Sequence, residues 1–112
     1  MKNKFILSGR VASIGDGVVK GTARIINNES ELDNVQQGDI MITAQTDINY
    51  VPALEFCSGL ITEQGGRFCH AAIYSRENSL PCITDVEDAR GIITDGQIIL
   101  LNARDNTITT AD

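Results

Sequence analysis

The chain has 112 residues, enough for one domain with a real core and too few for two. Apolar residues make up 42% and charged residues 21%, the balance of a folded globular protein rather than a disordered one. The net charge of −6 excludes nucleic-acid binding through a basic face and disfavours an anionic membrane surface.

Phe5–Leu7 opens a strand, and Gly15–Asp16–Gly17 marks a loop. From Val18 to Ile26, Val19, Gly21, Ala23 and Ile25 alternate with Lys20, Thr22 and Arg24, the period of a half-buried strand. Ser30 to Val35 is expected to form a helical turn capped by Ser30. Asp39–Thr43 and Gly59–Thr62 are short buried strands, separated by a turn or short helix over Asn49–Phe56 with Pro52 in its first turn.

After Gly65–Gly66 the period changes. Cys69 to Asn78 contains good helix formers and neither glycine nor proline, and Pro81 stops it before the strand Cys82–Ile83. Val86–Ala89 is expected to add one more helical turn. Asp95–Gly96, between Ile92–Ile93 and Ile98–Leu101, predicts a hairpin, and Asp105–Asn106 predicts a second turn before Thr107–Thr109. Strands dominate, with one well-defined helix, so the expected class is α/β or α+β. No apolar run reaches the roughly 20 residues that span a bilayer, the first residues lack a signal-peptide core, and the three cysteines show no CxxC spacing. A cytoplasmic location is expected.

The chemistry concentrates in Thr62 to Arg76, where a strand end, paired glycines and a helix start surround His70, the only histidine. A helix start has unpaired N–H groups and the positive end of the helix dipole. Glycines let backbone approach a ligand closely, so the junction suits an anion such as phosphate. An imidazole is largely neutral and nucleophilic at pH 7. It can take a phosphoryl group and release it again, splitting one difficult transfer into two. Arg67 is placed to pair with incoming charge, and Thr62 to offer a hydroxyl.

Two cysteine-based readings compete. Cys57, Cys69, His70 and Cys82 form a Cys₃His set of the type that holds structural zinc, but without short knuckles. Adjacent Cys69 and His70 project about 100° apart on a helix, which works against both shared ligation and a nucleophile–base dyad. The default reading is buried thiols and no metal.

The segment Thr62–Glu63–Gln64–Gly65–Gly66–Arg67–Phe68–Cys69–His70–Ala71–Ala72–Ile73, continuing to Pro81, resembles the active-site signature T-x-x-G-G-x-x-S-H-A-A-I of PEP-utilizing enzymes. These include phosphoenolpyruvate synthase, pyruvate phosphate dikinase, enzyme I of the sugar phosphotransferase system and rifampin phosphotransferase. The resemblance extends to Leu7–Gly9, Gly15 and Gly21, to Gly38–Ile40, Thr46 and Pro52, and to Asp95–Gly96, so residues 1–112 resemble one complete mobile domain.

It implies a swivelling β/β/α domain that shuttles between two active sites. His70 would be phosphorylated on the ring nitrogen distal to the backbone, with Thr62, Gly65, Gly66, Arg67 and Cys69 near the phosphoryl group. It also implies a phosphotransferase component that binds no cofactor itself. Its partners, in trans or on a longer polypeptide of which this is a piece, would be an ATP-grasp nucleotide-binding protein, a PEP- or pyruvate-binding barrel, or both, with Mg²⁺ in their sites. The sequence departs from the pattern at Cys69, where serine is usual, and at Phe68, where dikinases carry a regulatory threonine. Ser75, Leu80 and Asn102–Ala103 are milder changes. A non-catalytic docking or regulatory module that keeps the fold is the alternative.

Overall fold

The computed structural model describes residues 4–111. Eight strands, β1 (Ile6–Leu7), β2 (Arg10–Ser13), β3 (Val18–Ile26), β4 (Ile40–Thr43), β5 (Gly59–Thr62), β6 (Cys82–Thr84), β7 (Ile98–Asn102) and β8 (Thr107–Thr110), form one sheet in the order β1-β8-β7-β3-β4-β5-β6-β2. Three α-helices accompany it, α1 (Val51–Leu54), α2 (His70–Glu77) and α3 (Ala89–Ile92), with 3-10 turns at Glu29–Asn34 and Ile48–Tyr50.

Nine-residue β3 makes the sheet bend. Its first half, Val18–Thr22, pairs antiparallel with β7, and its second half, Ala23–Ile26, pairs parallel with β4. One strand thus belongs to an antiparallel half, β1-β8-β7-β3, and to a parallel half, β3-β4-β5-β6, with β2 antiparallel on the far edge. The edge strands β1 and β2 are joined only by Ser8–Gly9, so the sheet must curl until its two edges meet. Asn106 holds that seam: its side chain accepts from the Gly9 N–H at 3.1 Å and donates to the Gly9 carbonyl at 2.9 Å.

Alternation along the strands sorts the apolar side chains into two cores. Ile40, Ile42, Ile61 and Ile83 face Ile99, Leu101 and Ile108 inside the curl. On the other face, Met41, Leu60 and Cys82 pack with Leu54, Ala71 and Leu80 beneath α1 and α2. Both faces of the parallel strands are covered, which is why β4, β5 and β6 are buried at every position. The result is two sheet layers and a helix layer, the expected β/β/α arrangement with its principal helix starting at His70.

Three local expectations change, and one strand has no counterpart in them. Ser30 does not cap the first turn; Asn28 does, its side chain accepting from the Ser30 backbone N–H at 3.0 Å and from the Ser30 hydroxyl. The helical turn expected at Val86–Ala89 lies later, at Ala89–Ile92. Asp95–Gly96 does not join a hairpin, because Ile92 ends α3 and Ile93 enters the core. That turn is instead pinned to β3, Gly96 N–H donating to the Ala23 carbonyl and Asp95 accepting from Ile25 N–H, each at 2.8 Å. The hairpin is β7–β8, turning through Asn106 in the left-handed region at φ 57°. Finally, Arg10–Ser13 carries too short a pattern to announce itself as β2.

Candidate functional site at the carboxyl ends of the parallel strands

β4, β5 and β6 each end on threonine, with Thr43 level with Thr62. The loops leaving these ends converge, as expected in parallel sheets, where crevices open beyond the carboxyl edge. The loop after β4 supplies Gln45 and Thr46, that after β5 supplies Gln64 and Gly65, and the first turn of α2 supplies Cys69, His70 and Ala71. Together they line a pocket of about 280 Å³.

The paired glycines serve two separate needs. A side chain at Gly65 would stand 2.7 Å from Asp85 Oδ2 and 2.7 Å from Thr84 Cβ, so only glycine lets this loop lie against the end of β6. Gly66 has open space around it but a φ of +112°, a conformation L side chains rarely adopt. Between them they turn the chain from β5 into α2.

Cys69 is the N-cap of α2, with extended backbone, and its Sγ accepts from the Ala72 N–H at 3.4 Å. The thiol thus stands in for the more usual hydroxyl, with a weaker acceptor at a longer distance. The N–H groups of His70 and Ala71 have no acceptor among the described residues, so the helix start keeps free donors beside the pocket.

The half-buried His70 ring is fixed on two sides. Its Nδ1 lies 2.9 Å from Thr46 Oγ1. Tyr74, one turn on, stacks on it with ring centroids 6.1 Å apart and planes within 10°. Nε2 has no hydrogen-bond partner among the described residues. His70 also borders a second depression, with Ile48, Val51, Glu55, Ile73 and Tyr74.

Of the residues expected near a bound anion, the structure brings Gly65, Cys69 and His70 to one pocket. Thr62 is fully buried, and its hydroxyl donates to the Gln64 carbonyl at 2.6 Å, so it shapes the turn from below. Gly66 and exposed Arg67 line a different depression on the flank of α2, and the Arg67 guanidinium lies over the Phe68 ring at 5.8 Å. In this conformation Arg67 therefore does not line the histidine's pocket. Thr46 and Tyr74 are the residues that sequence reasoning passed over as partners of the ring. Tyr74 carried a signal in its i,i+4 spacing from His70, whereas Thr46 lies 24 positions away and meets His70 only through the fold.

Glu63, at the end of β5, accepts from the Arg90 backbone N–H at 2.8 Å and pairs with its guanidinium at 2.9 Å, fastening the site loop to α3. Burial pushes the Glu63 carboxyl up, but the Arg90 hydrogen bonds outweigh it and hold the group below its ordinary value. No group of three or more His, Cys, Asp or Glu among the described residues is arranged to hold a metal ion, so the Cys₃His set does not assemble there. Burial is the main cause that pushes the Cys57 and Cys82 thiols up to about 12.

Residues 35–106 match the family model described as PEP-utilising enzyme, mobile domain. The chain is 38% identical over 96 residues to a phosphoenolpyruvate synthase of Pseudomonas aeruginosa, covering 86% of this chain and 12% of that protein. It is 40% identical over 95 residues to a rifampicin phosphotransferase of Bacillus cereus, covering 85% of this chain and 11% of that protein. The chain thus spans a small part of the length of the relatives it matches. Among solved structures, an enzyme I protein matches with a TM-score of 0.60 at 18% identity, over 72% of this chain and 34% of that one. Aconitase X of Thermococcus kodakaraensis matches with a TM-score of 0.70 at 12% identity, over 96% of this chain and 99% of that one, a likeness of fold alone. No helix among the described residues is long and apolar enough to cross a membrane. With the strand–Gly-Gly–helix junction in place and these sequence matches covering most of its length, the chain belongs to the PEP-utilising enzyme mobile-domain family.

Proposed function

We propose that this domain is a phosphoryl carrier, accepting the group on Nε2 of His70 and passing it to a second acceptor. The observation that carries the reading is the state of the imidazole: Nδ1 is engaged by Thr46 and Nε2 is left without a partner at the mouth of a helix start. With the ring proton on Nδ1, donated to Thr46 Oγ1, the lone pair resides on Nε2. That pair attacks phosphorus, and the donor's P–O bond breaks with its electrons leaving on the donor oxygen. An acceptor oxygen then attacks the same phosphorus. The N–P bond returns its pair to Nε2, and the acceptor's proton goes to a base in the partner's site.

The free N–H groups of His70 and Ala71 hold the negative phosphoryl oxygens without a cation in the pocket, so the group is retained but remains easy to pass on. The nucleotide clamp and the PEP-binding pocket belong to partner proteins or to other parts of a longer polypeptide: an ATP-grasp protein, a PEP- or pyruvate-binding barrel, or both. Mg²⁺ in those sites supplies the charge neutralisation that phosphoryl transfer needs. The domain is one component of a phosphotransferase, operating in the cytoplasm.

The test is phosphorylation of the purified chain by ATP or PEP in the presence of an ATP-grasp protein and a PEP-binding barrel protein. The expected result is an acid-labile, base-stable phosphoryl adduct mapped to His70, absent in His70→Ala with an unchanged circular-dichroism spectrum. An adduct that persists in His70→Ala overturns the reading. If no adduct forms with either donor while the protein partner still binds, the carrier role gives way to the docking module.

A further inference from the structure

On the flank of α2 away from the His70 pocket, a depression of about 300 Å³ gathers Arg10 from β2, Arg67 from the glycine turn and Arg76 from the last turn of α2. The whole chain has nine Lys and Arg residues against 15 Asp and Glu, so three cations around one hollow are a strong local reversal of sign. Arg24 and Arg90 show what cations do elsewhere in this fold: each is spent on a close carboxylate, Asp39 at 2.8 Å and Glu63 at 2.9 Å. Arg67 and Arg76 pair with no carboxylate among the described residues. Arg10 has only a loose contact of 3.8 Å with Asp85, whose Oδ2 already accepts from the Thr84 hydroxyl at 2.7 Å. Arg76 is held in place by donating to the Arg67 carbonyl at 2.9 Å.

We propose that this arginine hollow docks an acidic segment on the surface of the protein that exchanges phosphoryl groups with His70, the identity of that partner resting on the carrier reading above. A protein surface fits better than a small anion. The Arg10 side chain is 59% exposed, the hollow's remaining walls include apolar Val11 and Ala12, and Phe68, 78% exposed, stands beside Arg67. A small anion needs buried, converging donors, whereas exposed arginines beside an open aromatic are the make-up of a contact surface. A polyanionic nucleic acid is disfavoured by the net charge of −6 on the whole chain. Because the hollow and the His70 pocket lie on different flanks of the same helix start, a docked partner can grip the arginines while its reacting group reaches the ring.

The probe is a hexaglutamate peptide titrated into the ¹⁵N-labelled chain at low ionic strength. Saturable shifts are expected at the Gly66 and Arg67 amides and at the Nε signals of Arg10, Arg67 and Arg76, reversed at roughly 0.3 M salt. The double variant Arg10→Gln/Arg76→Gln is expected to weaken binding roughly five- to tenfold with the rest of the spectrum unchanged. Shifts that do not saturate, that centre on Lys20 or Arg104, or that survive the double variant overturn the proposal. With the phosphorylating partner, the same variant is expected to raise KM for the domain and flatten its salt dependence while leaving kcat unchanged. An equal KM in both proteins also overturns it. Absence of any adduct on wild-type His70 overturns the carrier reading instead, while the peptide titration decides the hollow independently.

Discussion

At the scale of single residues, the imidazole depends on a neighbour that the local sequence does not supply. Thr46 is buried, and its hydroxyl meets Nδ1 at 2.9 Å; in the carrier reading proposed above it accepts the Nδ1 proton and leaves the lone pair on Nε2. Replacing it with isosteric valine removes the hydrogen bond and little else. In Thr46→Val the single-turnover rate of His70 phosphorylation is expected to fall about tenfold, the worth of one hydrogen bond of about 1 to 1.5 kcal/mol. The ¹⁵N shifts of the ring are expected to move from a defined Nδ1–H tautomer toward a mixture. An unchanged rate together with unchanged ring shifts would remove Thr46 from any positioning role. What could be read locally was the junction itself: Gly65 and Gly66 before a helix beginning at His70. Arg67 is close to His70 along the chain, but it follows Gly66, whose φ is +112°, and lines the depression on the other flank of α2.

At the scale of elements, the site loop is anchored through Glu63, which joins the end of β5 to the start of α3. Because the folded carboxyl titrates below its ordinary value, its contribution is full above the unfolded pKa and lost as pH falls through the folded one. Glu63→Gln is therefore expected to cost about 1 to 2 kcal/mol in urea unfolding at pH 7, the range for a hydrogen-bonded, partly buried charge. The difference is expected to begin shrinking as pH drops below about 4.5 and to disappear once the folded carboxyl is protonated as well. A difference that stays constant across that range would show that the carboxylate charge is not what fastens α3. The elements themselves were legible where a period ran long enough, as in β3 and α2. The shorter ones followed tertiary partners instead. Ile92–Ile93, a strand by propensity, ends a helix because Ile93 fills the core inside the curl.

At the scale of the whole molecule, the curl closes at Asn106, which occupies a left-handed backbone conformation and makes both hydrogen bonds to Gly9 across a separation of 97 residues. Asn106→Ala is expected to lower stability by about 2 to 3 kcal/mol, from two lost hydrogen bonds and the cost of φ > 0 for alanine. Asn106→Gly is expected to recover the backbone part only. Thermal unfolding of the two variants measures the split, and equal losses would mean that the seam is held by its hydrogen bonds alone.

The sequence by itself determined what depends on neighbours along the chain: the alternation that makes β3, the glycine pair that breaks β5 from α2, and the histidine at the helix start. Those features arise from backbone sterics and local hydrogen bonding, which act over a few residues. Only the tertiary structure decided that β3 would serve two half-sheets, that Thr46 would meet His70, and that Arg10 would join Arg67 and Arg76. These contacts are set by which strand edges pair and how far the sheet curls, and no local pattern encodes a distance between residues that the chain separates by dozens of positions.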